Sequence, residues 1–340
     1  MKLKLWLNII TFGAVGLVVF FAWSDIIAAL DQIWKLDLWV LSLIVVAQFI
    51  AFFAIAKVYS HFFKAIDQPI KLRELISVAI ELNFVNHVFP SGGVSGFSYL
   101  ALRLKHDGVS AAKSTLAQLV RFVFTFSSFI VLLIAAIIFL AIEDKVNSFI
   151  ILIATAITVS IIFGAIGVIF VIGSKERIAS FSHGAAKILN KIIHFFRRKY
   201  PETIRLTKVE KTFLELHDDY HVLKGDLGKM GAAFGWALVA NIAEVTSVYI
   251  AFIAHGTWVD PGAVIIAYAV ATIAGLLAIL PGGLGIYEPL MAAVLASAGV
   301  PAGIAVSATL VSRVIILAVA LSTGYVLYHL ALRHYARHSS

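Results

Sequence analysis

Five ionisable residues stand inside stretches that are otherwise apolar: Glu81, Arg121, Glu244, Glu288 and Arg313. Each would cost roughly 2.5 kcal/mol or more facing hydrocarbon, so all five are expected to face one another, a polar cavity or a substrate. An arginine keeps its charge in almost any surroundings and presents a planar fork of donors that fits phosphate. Arg121 and Arg313 are therefore candidates to receive an anionic headgroup in turn. Glu81, Glu244 and Glu288 are their candidate counter-charges, or proton carriers if movement is coupled.

Two glycine-rich breaks lie beside these residues, Pro90-Ser-Gly-Gly-Val-Ser-Gly96 and Pro281-Gly-Gly-Leu-Gly-Ile-Tyr-Glu288. Proline withholds a backbone donor and glycine holds a helix poorly, so such backbone at membrane depth must be buried in protein or line a cavity. Gly92, Gly93, Gly282 and Gly283 are thus candidate substrate contacts through backbone N–H groups at helix ends. Asn83, Asn86 and His87 approach the first break, and Asn241 precedes Glu244 by one helical turn. These amides could line a cavity, or simply hydrogen-bond between helices.

The breaks also announce a repeat. A Gly-Val pair follows each proline by eighteen residues, at Gly108 and at Gly299, and each half then enters a long apolar helix carrying one arginine. Break, Gly-Val pair and arginine in the same order imply two structural repeats.

Of the 340 residues, 61% are hydrophobic and 14% charged, a balance that excludes a soluble globular protein. There are no cysteines, which removes thiol catalysis and thiolate metal sites. No phosphate-binding loop or nucleophile elbow occurs, and neither an enzyme active site nor a cofactor is expected. His217 and His221 with Asp218 make a weak metal pattern, for which a solvated helix face is the expectation. The net charge of +8 does not point to nucleic acid, because in an apolar chain the location of charge matters more than its sum.

The elements that must position the five groups follow from apolar run lengths. Spans are expected at Leu5–Trp23, Leu38–Ala56, Ser114–Ile142, Val146–Gly173, Ala232–Ala254 and Ile304–Leu330. Leu75–Phe89 with Phe97–Leu104, and Val264–Leu280 with Pro289–Ser297, are too short to span singly and are read as broken re-entrant hairpins. With this threading 23 of the 27 Lys/Arg fall on one side of the membrane, which places both termini in the cytoplasm. Three spans per half is an odd number, so the second copy is inverted and the two breaks meet near the midplane.

The expected architecture is an all-α integral membrane protein with six transmembrane helices plus two broken re-entrant hairpins in an inverted-topology repeat. It forms a single polytopic domain over 1–340, with repeat one at 1–142 and repeat two at 146–330. The segment 174–229 carries twelve Lys/Arg against seven Asp/Glu with apolar residues at helical spacing. It reads as a cytoplasmic amphipathic insert lying on an anionic membrane surface, or as a connector packed on the bundle.

Asn83 to Gly96, Gly108, Arg121, Pro281-Gly-Gly-Leu-Gly285 with Glu288, and Arg313 resemble the lysylphosphatidylglycerol synthase transmembrane family, also called the flippase-like membrane domain family, over essentially the whole chain. The resemblance implies a membrane domain that flips aminoacylated phosphatidylglycerol, preceding in its best-understood members a soluble aminoacyl-transferase domain. Here the chain ends at Ser340 without that domain, so synthase activity is not carried over. Stand-alone relatives are associated with isoprenoid, hopanoid or glycolipid pathways, which widens the substrate class.

The expected function is therefore translocation of an anionic or phosphate-bearing lipid, a phospholipid or a polyprenyl-linked lipid, between leaflets of a bacterial inner membrane. Two other readings stand beside it. One is a membrane enzyme or enzyme subunit acting on a lipid-linked phosphate, with His87 as its base; the other is a non-transporting scaffold for a lipid-synthesis partner enzyme.

Overall fold

The computed structural model describes residues 13, 16–89, 94–142, 148–180, 215–220, 227–277 and 281–338. They form an all-α membrane protein in which five helices are long and apolar enough to cross a bilayer. In chain order the helices are α1 (Trp23–Ile33), α2 (Leu38–Ala65), α3 (Leu72–Val88), α4 (Val94–Leu104), α5 (Ala111–Ile142), α6 (Ser148–Ile172), α7 (Gly231–Ala254), α8 (Pro261–Leu277), α9 (Tyr287–Ser297) and α10 (Ala302–His338). The expected first span falls largely outside the described residues, as do Gly92, Gly93 and most of the 174–229 insert.

Helix ends are set by local chemistry. Asp37 caps α2, its carboxylate accepting from the backbone of Trp39 at 2.9 Å and Val40 at 3.3 Å. The two Gly-Val pairs make the same turn. Gly108 (φ +75°) and Gly299 (φ +87°) adopt left-handed backbone. The N–H groups of Val109 and Val300 reach back to the carbonyls of Leu104 and Leu295 at 3.2 and 3.1 Å. Both valines are buried, anchoring the turns from which α5 and α10 set out.

The described arms on either side of the two breaks match in length, 17 and 11 residues for α3 and α4, 17 and 11 for α8 and α9. α2 and α7 run antiparallel through the centre. Phe53 and Lys57 meet Trp236 near one end, and Gln48 meets Glu244 and Ser247 further along. α3 packs antiparallel on α10 through Phe84, Tyr325 and Tyr328, and α8 packs antiparallel on α5, with Tyr268 against Phe129 and Gly262 beside Ala136.

The hairpins therefore enter from opposite ends of the bundle. The end of α3 meets the second break: a Cβ on Gly282 would stand 3.2 Å from the His87 ring. Glycine is also what lets the packed pairs approach. A side chain at Gly324 would overlap the Phe84 Cβ, and one at Gly262 would overlap the Ala136 carbonyl.

Within the second break, Gly282, Gly283 and Gly285 all take positive φ, which tightens the chain after Pro281 into a 3-10 turn that no L side chain would follow without strain. Gly283 in addition lies on α8, where a Cβ would come within 2.8 Å of the Gly275 Cα. Gly283→Ala is expected to lower stability by about 1–3 kcal/mol, from strain and overlap together. Gly164→Ala in α6, where a Cβ meets nothing, is the comparison and should leave the melting temperature unchanged or slightly raised. Equal melting temperatures for the two variants would refute the strained turn.

Candidate functional site

Where the end of α3 meets the second break, the bundle holds a partly open cavity of about 230 Å³. Hairpin one contributes Asn83, Asn86 and His87, and hairpin two contributes Gly282 and Gly283. The spans contribute Gln48 from α2, Arg121 from α5, Glu244 from α7 and Arg313 from α10. Of the candidate residues read from the sequence, the structure thus brings together both arginines, the three asparagines, His87, one glutamate and the second pair of glycines.

The two arginines lie at matched depths, ten residues into α5 and eleven into α10, or about 15 Å along each axis. Their partners differ. Arg313 is 8% exposed and its Nε donates to Glu288 Oε1 at 3.1 Å. Its Nη2 donates to the Gly282 carbonyl, and its guanidinium stands 4.5 Å from the centre of the Tyr287 ring. Glu288 is fixed in turn by the Gly285 N–H at 2.9 Å. A carboxylate, a carbonyl and an aromatic face therefore already occupy Arg313.

Arg121 forms no ion pair with any described residue. It lies over Phe122 at 5.3 Å and near Tyr59, whose hydroxyl donates to Gln118. Its Nε is buried without a partner, and so is Asn86 Oδ1 on the facing hairpin. A half-buried cation without an ion-pair partner is costly, and its fork of donors supplies what an anion needs.

The remaining glutamates divide. Glu81 lies away from the cavity, fully buried, accepting from Ser77 at 2.7 Å, Tyr99 at 2.6 Å and Arg103 Nε at 3.0 Å. It is the lock between the two arms of hairpin one. Glu288 holds Arg313 from behind and does not line the cavity. Asp25 in α1 lies near that pair.

Sequence reasoning missed Gln48 and Tyr268, which line the cavity as uncharged polar residues of long apolar helices. A search for all polar side chains, rather than for ionisable ones, would have raised both. Asn241 serves interhelical bonding, its Nδ2 donating to the Thr125 carbonyl at 2.8 Å and to Ser128 Oγ at 2.6 Å. His217 does not lie on a solvated face as expected. It is 8% exposed, with Nδ1 at 2.6 Å from the Ile172 carbonyl at the end of α6, because Leu216 and Ile178 tuck the adjoining segments into the core. Its neighbour Asp218 is exposed and pairs with Lys175 at 3.0 Å. His221 lies outside the described residues.

Residues 6–324 match the family described as the lysylphosphatidylglycerol synthase TM region. Two UPF0104 membrane proteins of Methanothermobacter thermautotrophicus are similar over part of the chain. One is 31% identical over 135 residues, 37% of this chain and 40% of the relative; the other is 26% identical over 128 residues, 38% of this chain and 37% of the relative. The matched stretches thus span well under half the length of those curated relatives. No solved structure matches the chain.

Proposed function

The chain belongs to the family of the lysylphosphatidylglycerol synthase TM region, membrane domains associated with lipid handling, and from that premise we propose that it translocates an anionic or phosphate-bearing lipid between leaflets. Arg121 carries the reading: a deep guanidinium without an ion-pair partner among the described residues, in a cavity of mixed polar and apolar wall between two broken hairpins. A cavity of about 230 Å³ suits a headgroup and not a whole phospholipid, so the acyl chains remain in the bilayer while the headgroup passes.

The fold is read as an inverted repeat, 1–142 against 146–330. Matched arm lengths, the identical Gly-Val turns and hairpins entering from opposite ends support it. So does the packing: exchanging α2 with α7, α3 with α8, α4 with α9 and α5 with α10 carries the contacts among these eight helices onto one another. Equivalent hairpins meeting from opposite leaflets are what alternating access requires. The excess of Lys/Arg at one end of the threading supports cytoplasmic termini in a bacterial plasma membrane, with the basic 174–229 segment as the surface offered to membrane or to a lipid-synthesis enzyme.

Transport is preferred to chemistry on a lipid-linked phosphate. His87, the one candidate base, stands with its Nδ1 against the Asn83 carbonyl at 2.8 Å, a contact within its own helix that aligns it with no nucleophile. The protein reconstituted in phosphatidylcholine vesicles is expected to speed the inward movement of a fluorescent phosphatidylglycerol analogue, read by quenching of the outer leaflet. The phosphatidylcholine analogue should gain less. No acceleration of the anionic analogue over protein-free vesicles would overturn the reading.

A further inference from the structure

Glu244 is the carboxylate of the cavity that no cation claims. Among the described residues neither guanidinium is within ion-pair distance of it, although Arg313 and Arg121 both lie within its electrostatic reach. The titratable or charged groups around it are Arg121 on α5, Tyr268 on α8, Tyr287 and Glu288 on α9, Arg313 on α10 and His87 on α3. Because Arg313 and Glu288 cancel each other at 3.1 Å, the charges left to balance in the cavity are Arg121 and Glu244.

α2 meets Glu244 with an amide and not a charge. Gln48 Nε2 donates to Glu244 Oε2 at 3.0 Å and to Ser247 Oγ at 3.0 Å, while Gln48 Oε1 is buried with no partner. An orphaned buried acceptor is costly. A primary amide and a carboxylic acid form a cyclic pair, N–H to C=O and O–H to C=O, whereas an ionised carboxylate uses only the amide's N–H. Gln48 therefore holds in place the acceptor that a protonated Glu244 would satisfy.

We infer that Glu244 with Gln48 is a proton site linked to the anion site at Arg121, so that an anionic headgroup enters the cavity together with one proton. When a phosphodiester neutralises Arg121, an ionised Glu244 would be left as an uncompensated charge at membrane depth. A proton from water forms the O–H bond on Glu244, the Gln48 acceptor is filled, and the loaded cavity carries no net charge. On release the proton leaves with the lipid. Lipid and proton thus move in the same direction, and a proton gradient can drive the exchange without a nucleotide. This rests on the anion site proposed above.

The test uses the full chain in phosphatidylcholine nanodiscs titrated with short-chain phosphatidylglycerol, whose phosphodiester keeps its charge across neutral pH. The wild type should bind more tightly at acidic than at alkaline pH, by linkage, and a dye in weak buffer should report proton uptake on binding. Glu244→Gln should bind at alkaline pH about tenfold more tightly than wild type and lose the pH dependence, a coupling of ordinary size. A structural role for Glu244 would weaken binding instead. Binding by wild type without proton uptake overturns the inference whatever the variant does, as does a slope that survives Glu244→Gln but vanishes in His87→Gln. No binding at any pH overturns the anion site itself.

Discussion

Arg121→Gln is expected to slow transfer of a phosphatidylglycerol analogue by about ten- to a hundredfold, the worth of one charge-assisted bidentate contact. Folding should survive the change. Arg121 has no ion pair among the described residues and an unpartnered buried Nε, so glutamine breaks no salt bridge, and Glu244, which shares the cavity, can take up a proton once the cation is gone. Its melting temperature should hold or rise. Arg121→Lys keeps the charge but loses the fork, and should fall between the two. Transfer at the wild-type rate in Arg121→Gln would remove the cation from the mechanism, because the measurement is made on a protein that still folds.

Arg313→Gln should behave in the opposite way, with loss of stability as its first effect. Glu288 is 7% exposed and would keep a carboxylate without its guanidinium, and the Gly282 carbonyl would lose its donor. Breaking a buried pair from one side costs about 3–5 kcal/mol, so the variant should unfold or lose its hairpin at temperatures the wild type tolerates. Adding Glu288→Gln removes the stranded charge and should recover most of that loss, a non-additivity read in a double-mutant cycle. If the two losses simply summed, the pair would not be the tie between α9 and α10 that its geometry describes. The two arginines, alike in depth and in register, would then be distinguished by their opposite effects: one tuned to bind, the other to hold.

Much of this arrangement was legible because proline and glycine have backbone consequences that do not depend on tertiary context. The short arms flanking the two breaks and five of the six expected spans follow from that and from apolar run length, although α2 runs on to Ala65, nine residues past its expected end. What stayed hidden depended on distant partners. Arg103 counts in the sequence as one more cation of the basic end, yet it reaches back 22 residues to Glu81 and withdraws that carboxylate from the cavity. Glu288 and Arg313 are 25 residues apart, a separation with no helical period to announce it. Gln48 carries no charge and so escapes a search for ionisable groups, and its meaning comes from Glu244, 196 residues away. His217 looks solvated beside its polar neighbours until the Ile172 carbonyl, 45 residues earlier, is brought to it.

The glycine contacts at Gly324 and Gly262 bear on how such a protein can move. Each removes the side chain that would otherwise cushion two helices, so α3 is pinned to α10 at Phe84 and α8 to α5 at Ala136, backbone nearly against backbone. Contacts that close resist sliding. The long arm of each hairpin is thereby fastened to the arginine helix of the other half. An opening that keeps both contacts must carry α3 with α10 and α8 with α5, and it must stretch or break the Glu288–Arg313 tie that joins α9 to α10.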